Sequence, residues 1–137
     1  MQIYAEVSPG ELFDKLTILE IKIERIDDAV KLANVKKEYK ILSKIRDEHV
    51  AASDTLSNGA STSALSRLVK QLKRVNETLW VIEDDIRDCE RREDFGKIFV
   101  ELARSVYIEN DQRAVLKKKI NTLLHSNLFE EKSYQAY

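Results

Sequence analysis

The residues best suited to chemistry fall on two stretches of the second half of the chain. Asn76, Trp80, Glu83, Arg87 and Glu90 are spaced four, three, four, three, so on a helix they form one polar stripe beside an apolar seam. Further on come Arg104, Tyr107, Asn110, Asp111 and Arg113. Arg87, Arg104 and Arg113 could hold a phosphate or carboxylate through paired N–H donors. Trp80 and Tyr107 offer flat surfaces for a base or sugar, and Glu83 or Asp111 could orient a hydroxyl or act as a general base. A helical hairpin folded at Glu93 brings Glu83 level with Arg104, Trp80 near Tyr107, and Asn76 near Asn110 and Asp111. Lys15, Glu20 and Glu24 could join from a third side. The candidate ligand-binding residues are therefore Trp80, Glu83, Arg87, Arg104, Tyr107, Asn110, Asp111 and Arg113. The plainer reading of the same residues is a set of partly buried ion pairs that fix helix register.

Other chemistries have less behind them. Glu20 and Glu24 are one turn apart, as are Asp84 and Asp88, and facing pairs of that kind hold Mg²⁺ and pyrophosphate in all-α pyrophosphohydrolases. The usual signature, two Glu three apart and then Glu and Asp three apart, is not reproduced. His49 and His125 stand alone, so no metal site is expected. No glycine-rich phosphate loop and no Ser/His/Asp arrangement occurs. Arg67, Lys70, Lys73 and Arg74 form a basic cluster. With a net charge of −1 overall it reads as a solvated helix face, and nucleic acid is not expected as a partner.

Helices must carry these residues. Ser8-Pro9-Gly10-Glu11 is a helix start, with Ser8 and Glu11 placed for a capping box and Pro9 at the first helical position. The first helix should reach about Ile26 on the seam Leu12, Leu16, Leu19, Ile23, Ile26, with Phe13, Ile18 and Ile21 adding apolar surface on other faces. Asp27-Asp28 separates it from a second helix, about Ala29 to Ala52. Residues 53–61 are rich in turn formers and read as a flexible loop. The third helix, about Thr62 to Arg92, repeats Leu65, Leu68, Leu72, Val75, Leu79, Ile82, Ile86, Cys89 at threes and fours. Asp94 is placed to cap a fourth, whose seam of Phe95, Phe99, Leu102, Val106 and then Leu116, Ile120, Leu123 is interrupted by Glu109 and Arg113. Either that helix breaks at Asn110 with Asp111 as a new cap, or its polar residues face something other than oil. Short connections make the first and second helices one antiparallel hairpin and the third and fourth another. Residues 1–7 read as a short extended arm or edge strand and 126–137 as a tail.

The chain of 137 residues suits a single domain, and 43% hydrophobic with 34% charged residues suits long amphipathic helices. One cysteine permits no internal disulfide and fits a reducing cytosol. The start lacks a signal-peptide pattern, and no apolar run approaches the roughly 20 residues of a membrane span.

Four separated stretches carry a family resemblance: Val7-Ser8-Pro9-Gly10-Glu11-Leu12-Phe13-Asp14-Lys15-Leu16-Thr17-Ile18-Leu19-Glu20-Ile21-Lys22; Leu79-Trp80-Val81-Ile82-Glu83-Asp84-Asp85-Ile86-Arg87; Leu102-Ala103-Arg104-Ser105-Val106-Tyr107 with Asn110-Asp111-Gln112-Arg113-Ala114; and Glu130-Glu131-Lys132-Ser133-Tyr134. Together they resemble a bacterial family of small proteins classed as a domain of unknown function. The resemblance implies a setting beside, or fused to, glycosyltransferase and tetratricopeptide-type proteins of surface-polysaccharide loci. It implies no activity, so no catalytic residue is carried over. The expectation is a cytoplasmic all-α protein, an antiparallel bundle of four long helices. It would act as a homodimeric binding module in glycan assembly, without a cofactor, engaging a protein partner or a small anionic ligand. The alternative is a Mg-dependent enzyme acting on a nucleotide or nucleotide-sugar between the helices.

Overall fold

A computed structural model describes residues 1–137 and contains four α-helices: α1 (Pro9–Arg25), α2 (Ala29–Arg46), α3 (Gly59–Arg91) and α4 (Lys97–Leu123). There is no strand, and residues 1–7 are exposed and form neither helix nor strand. The polar spacers between Ile3, Ala5 and Val7 have no neighbouring strand to pair with. No helix is long and apolar enough to cross a membrane.

Local chemistry sets the helix ends. Ser8 Oγ accepts from the Glu11 N–H at 3.2 Å, and Pro9 follows at the first helical position. The other half of the expected capping box is not made, because the Glu11 carboxylate takes an ion pair with Lys117 at 2.8 Å instead. Asp28 caps α2 by accepting from the Lys31 N–H at 2.8 Å. α2 stops as an α-helix at Arg46, short of the expected Ala52, and widens into a π turn over Asp47–Ala51 that turns Val50 into the core. A 3₁₀ turn, Asp54–Leu56, replaces part of the expected loop. Asn58 then caps α3 earlier than expected, accepting from the Ser61 N–H at 2.7 Å. At the next corner Glu93 adopts a left-handed φ of 53°. Asp94 accepts from the Gly96 N–H at 3.1 Å and so shapes the turn, while Gly96 holds the cap position.

α4 is continuous through Asn110 and Asp111. Asn110 Nδ2 bonds back to the Val106 carbonyl at 2.9 Å, and Asp111 caps nothing. Of the two sequence readings, the polar residues of α4 face something other than oil.

α1 is the central element and packs against α2, α3 and α4. Leu12, Phe13, Leu16, Leu65, Leu72, Val75, Leu116 and Ile120 form the core between them. The surplus apolar surface of α1 is thus consumed inside one chain. α2 contributes no buried residue and rests chiefly on α1. The α3–α4 hairpin is longer than α1. Its outer part keeps Val81, Phe95, Ile98 and Val100 exposed.

Candidate functional site

The polar interruption of the α4 seam meets a polar face of α1. Gly10, Asp14, Thr17 and Ile21 are spaced four, three, four on α1 and all are buried. The Asp14 side chain is 2% exposed and receives the guanidinium of Arg113: Nε donates to Oδ1 at 2.8 Å and a terminal nitrogen donates to Oδ2. Asn76 Nδ2 donates to Asp14 Oδ1 and to Thr17 Oγ1, each at 3.0 Å, while the Thr17 hydroxyl donates to the Asp14 carbonyl at 2.9 Å. The bond to Asp14 holds Arg113 above its ordinary pKa despite partial burial. A buried carboxylate is tolerated because a fork of donors and an amide satisfy it. This network ties α1, α3 and α4 at one level. Arg113 is spent in it and is not free to clamp an anion.

A second ring of contacts extends the join. Gly10 N–H donates to Asn121 Oδ1 at 2.6 Å. Lys117 bonds to Glu11 at 2.8 Å and to Glu130 of the tail at 2.6 Å. Burial works against the charge on Lys117, but the two carboxylates outweigh it and raise its pKa. Further along α1, Lys73 of α3 reaches Glu24 at 2.6 Å and Glu20 at 3.7 Å.

Trp80, Glu83 and Arg87 lie together along a groove of about 470 Å³ between α1 and α3. Ile18, Ile21, Leu79 and Trp80 supply its apolar wall, and Asn76 lies in it as well. Glu83 pairs with Arg87 one turn on, so this arginine too is engaged. Tyr107 and Asp111 are on another face, where they hold the chain's own tail. The Tyr137 hydroxyl donates to Asp111 Oδ2 at 2.9 Å, and the Tyr107 and Tyr137 rings meet edge to face at 5.1 Å. Arg104 is exposed and makes no ion pair.

The eight candidates therefore divide. Trp80, Glu83 and Arg87 share a groove, Arg113 belongs to the buried network with Asn110 at its edge (Asn110 Oδ1 accepts from Arg113 at 3.5 Å), Tyr107 and Asp111 dock the tail, and Arg104 stands apart. The network adds Asp14 and Thr17, and the second ring adds Asn121. The signal for Asp14 was its place on a helix between Leu12, Phe13 and Leu16, where a carboxylate has no business without a partner.

No group of three or more carboxylate, histidine or cysteine side chains is placed to hold a metal ion. Glu20 and Glu24 are turned to Lys73, and Asp88 to Arg91 and Arg92. Comparison with protein-family models, with curated protein sequences and with solved structures gives no match for this chain.

Proposed function

We propose that the chain is a non-catalytic helical interaction module that works as a homodimer in the cytosol, in the setting of bacterial glycan assembly that its sequence resemblance implies. The observation that carries this is the face of the α3–α4 hairpin turned away from α1. Along α3 it presents Arg67, Arg74, Val81 and Asp85, and along α4 Ile98, Glu101, Ile108, Val115 and Lys119, all at heptad-like spacing. Val81, Ile98, Ile108 and Val115 are 44%, 60%, 36% and 52% exposed. Charges of both signs run along this face: Arg67, Arg74 and Lys119 with Asp111 towards the open end of the hairpin, and Asp85 and Glu101 with Lys97 and Arg104 towards the tip. A second copy laid antiparallel across it covers the apolar residues of both copies, with charges of both signs around them. That arrangement is an isologous two-fold interface.

The size is adequate. The strip from Ala64 to Asp85 is about 32 Å long at about 1.5 Å per residue, and two helices about 9 Å apart make it about 18 Å wide. Two copies then bury about 1,200 Å², the lower edge of stable interfaces. Light scattering at micromolar concentration tests the proposal. A dimer that becomes monomeric in Val115→Asp, with helicity retained, is the expected result. A monomeric native chain ends the reading.

A further inference from the structure

We infer that the tail, residues 126–137, is a latch on the α3–α4 face proposed above as the dimer interface, and that it must swing away before a second copy can seat; the inference rests on that reading of the face. Tyr137 is where tail and face meet. It lines one groove with Arg74 of α3 and with Ile108, Val115 and Lys119 of α4, four residues of the face itself. The α4 side of the face runs from Ile98 to Lys119, so Tyr137 stands beside its middle stretch and not at its ends. Tyr137 is 80% exposed, so it rises from the groove instead of filling it. Helices that pack across an interface bring their axes to about 8–10 Å, and no layer of rings fits between them. In an isologous pairing both copies present Tyr137 near the same place, so the obstruction is doubled.

The tail is lightly held. Residues 127–137 are exposed and form neither helix nor strand. Beyond the end of α4 the tail pairs Glu130 with Lys117 at 2.6 Å and Glu131 with Lys118 at 3.8 Å, then sets the Tyr137 hydroxyl on Asp111 and the Tyr137 ring on Tyr107. The side chains from Lys132 to Ala136 make no hydrogen bond or ion pair between these two anchors. None of the anchoring contacts belongs to the core. When Glu130 leaves, Lys117 keeps Glu11 at 2.8 Å, and the pairing of Arg113 with Asp14 is untouched. Release is therefore a local opening that leaves the four-helix body as it was. What it clears is the approach to Ile108 and Val115, the apolar middle of the face.

Sedimentation equilibrium of the full chain over a concentration series tests the latch. Tyr137→Ala removes the ring and the hydroxyl without changing the net charge or any residue of the face. A latch of one hydrogen bond and one ring contact, closed about five to one, leaves about one chain in six competent, and two chains must open for each dimer. Tyr137→Ala should therefore lower the dimer dissociation constant about thirtyfold. Tyr137→Phe keeps the ring but loses the bond to Asp111, and should lower it by a smaller factor. Val115→Asp added to Tyr137→Ala should abolish that dimer, and a dimer that survives it uses another surface and overturns the latch. Indistinguishable dissociation constants for the native and Tyr137→Ala chains leave the dimer standing and overturn the latch. Weaker association of Tyr137→Ala makes the tail part of the interface, swapped or shared, and overturns it too. A native chain that stays monomeric while Tyr137→Ala dimerises ends the dimer reading for the native chain and upholds the latch. If every chain stays monomeric up to about 1 mM, both readings end.

Discussion

Replacing Arg113 by leucine leaves Asp14 as a buried carboxylate with one amide donor from Asn76 and no counter-charge. Two losses combine. The paired hydrogen bonds of the fork disappear, and a carboxylate whose side chain is 2% exposed must be kept without compensation. Breaking a buried pair from one side costs about 3–5 kcal/mol, which is a large share of the roughly 5–15 kcal/mol that hold a domain of this kind together. Arg113 is itself 29% exposed along its side chain, so water can reach the vacated space, and about 3 kcal/mol is the expected cost. In urea, with an m-value of about 2 kcal/mol/M, the midpoint should fall by about 1.5 M with m unchanged. Two companion variants separate the causes. Arg113→Lys keeps the charge but loses the fork, and should recover only part of the loss. The double variant Asp14→Leu/Arg113→Leu removes both partners and should be more stable than Arg113→Leu alone, because no orphan charge remains. A midpoint change below about 0.3 M in Arg113→Leu, or a double variant less stable than that single one, would refute the reasoning that the network is held by charge pairing.

Three further outcomes follow from the geometry. Gly10→Ala, which in an open helix would help by up to about 1 kcal/mol, should instead destabilise by about 1–3 kcal/mol, since its Cβ would lie 2.5 Å from the Lys117 carbonyl oxygen and 2.8 Å from Asn121 Oδ1. A thermal midpoint raised by this substitution would contradict the close approach of α1 to α4. The tail contacts should open at both pH extremes. Lys117 holds the Glu130 carboxyl below its ordinary 4.5, so that contact contributes fully above 4.5 and is lost as pH falls through the lowered value. The bond to Asp111 holds the Tyr137 hydroxyl above its ordinary 10.0, so this second contact is present below 10.0 and is lost as pH rises through the raised value. Tyr137 ring resonances followed by NMR from pH 3 to 11 should show both releases, and an unchanged spectrum at either end would remove that contact. Cys89, 1% exposed, should resist a thiol reagent in the native protein and react at a rate set by opening. Labelling within the mixing time would place the thiol on the surface.

Much of the fold was legible from periodicity. The unbroken threes and fours of α3 gave its length, and the short turn at Glu93 gave its partner. Gln71, Arg74 and Val75 now line one groove with Ile108, Asp111 and Gln112, the register that a fold at Glu93 sets. The misreadings have physical sources. An apolar template scores Leu12, Leu16 and Leu19 and passes over Asp14 and Thr17, although these share a seam with Gly10 and Ile21 and are as deeply buried. The interruption at Arg113 was visible, but its partner lies 99 positions away on α1, and no local rule supplies such a pairing. Trp80 and Tyr107 were placed on facing helices correctly. Helical rotation then put them on different sides of the hairpin, a quantity that level along the axis does not contain. The start of α1 fell at Pro9 as expected, and only the reciprocal half of its cap was lost, because Glu11 had a competing partner in Lys117.

The join between α1 and α4 spans almost the whole sequence, with Gly10 bonded to Asn121 across 111 positions. A ribosome adds about 5–20 residues per second, so α1 waits roughly 5–20 s after its own synthesis before the last turns of α4 exist to receive it. During that interval Asp14 lacks Arg113, and the apolar faces of α1 have only α2 and then α3 to rest on. The nascent chain thus cannot complete its core until its final helix emerges. A stalled or truncated product would display an unpaired carboxylate amid bare leucines, a surface that chaperones and proteases are built to detect.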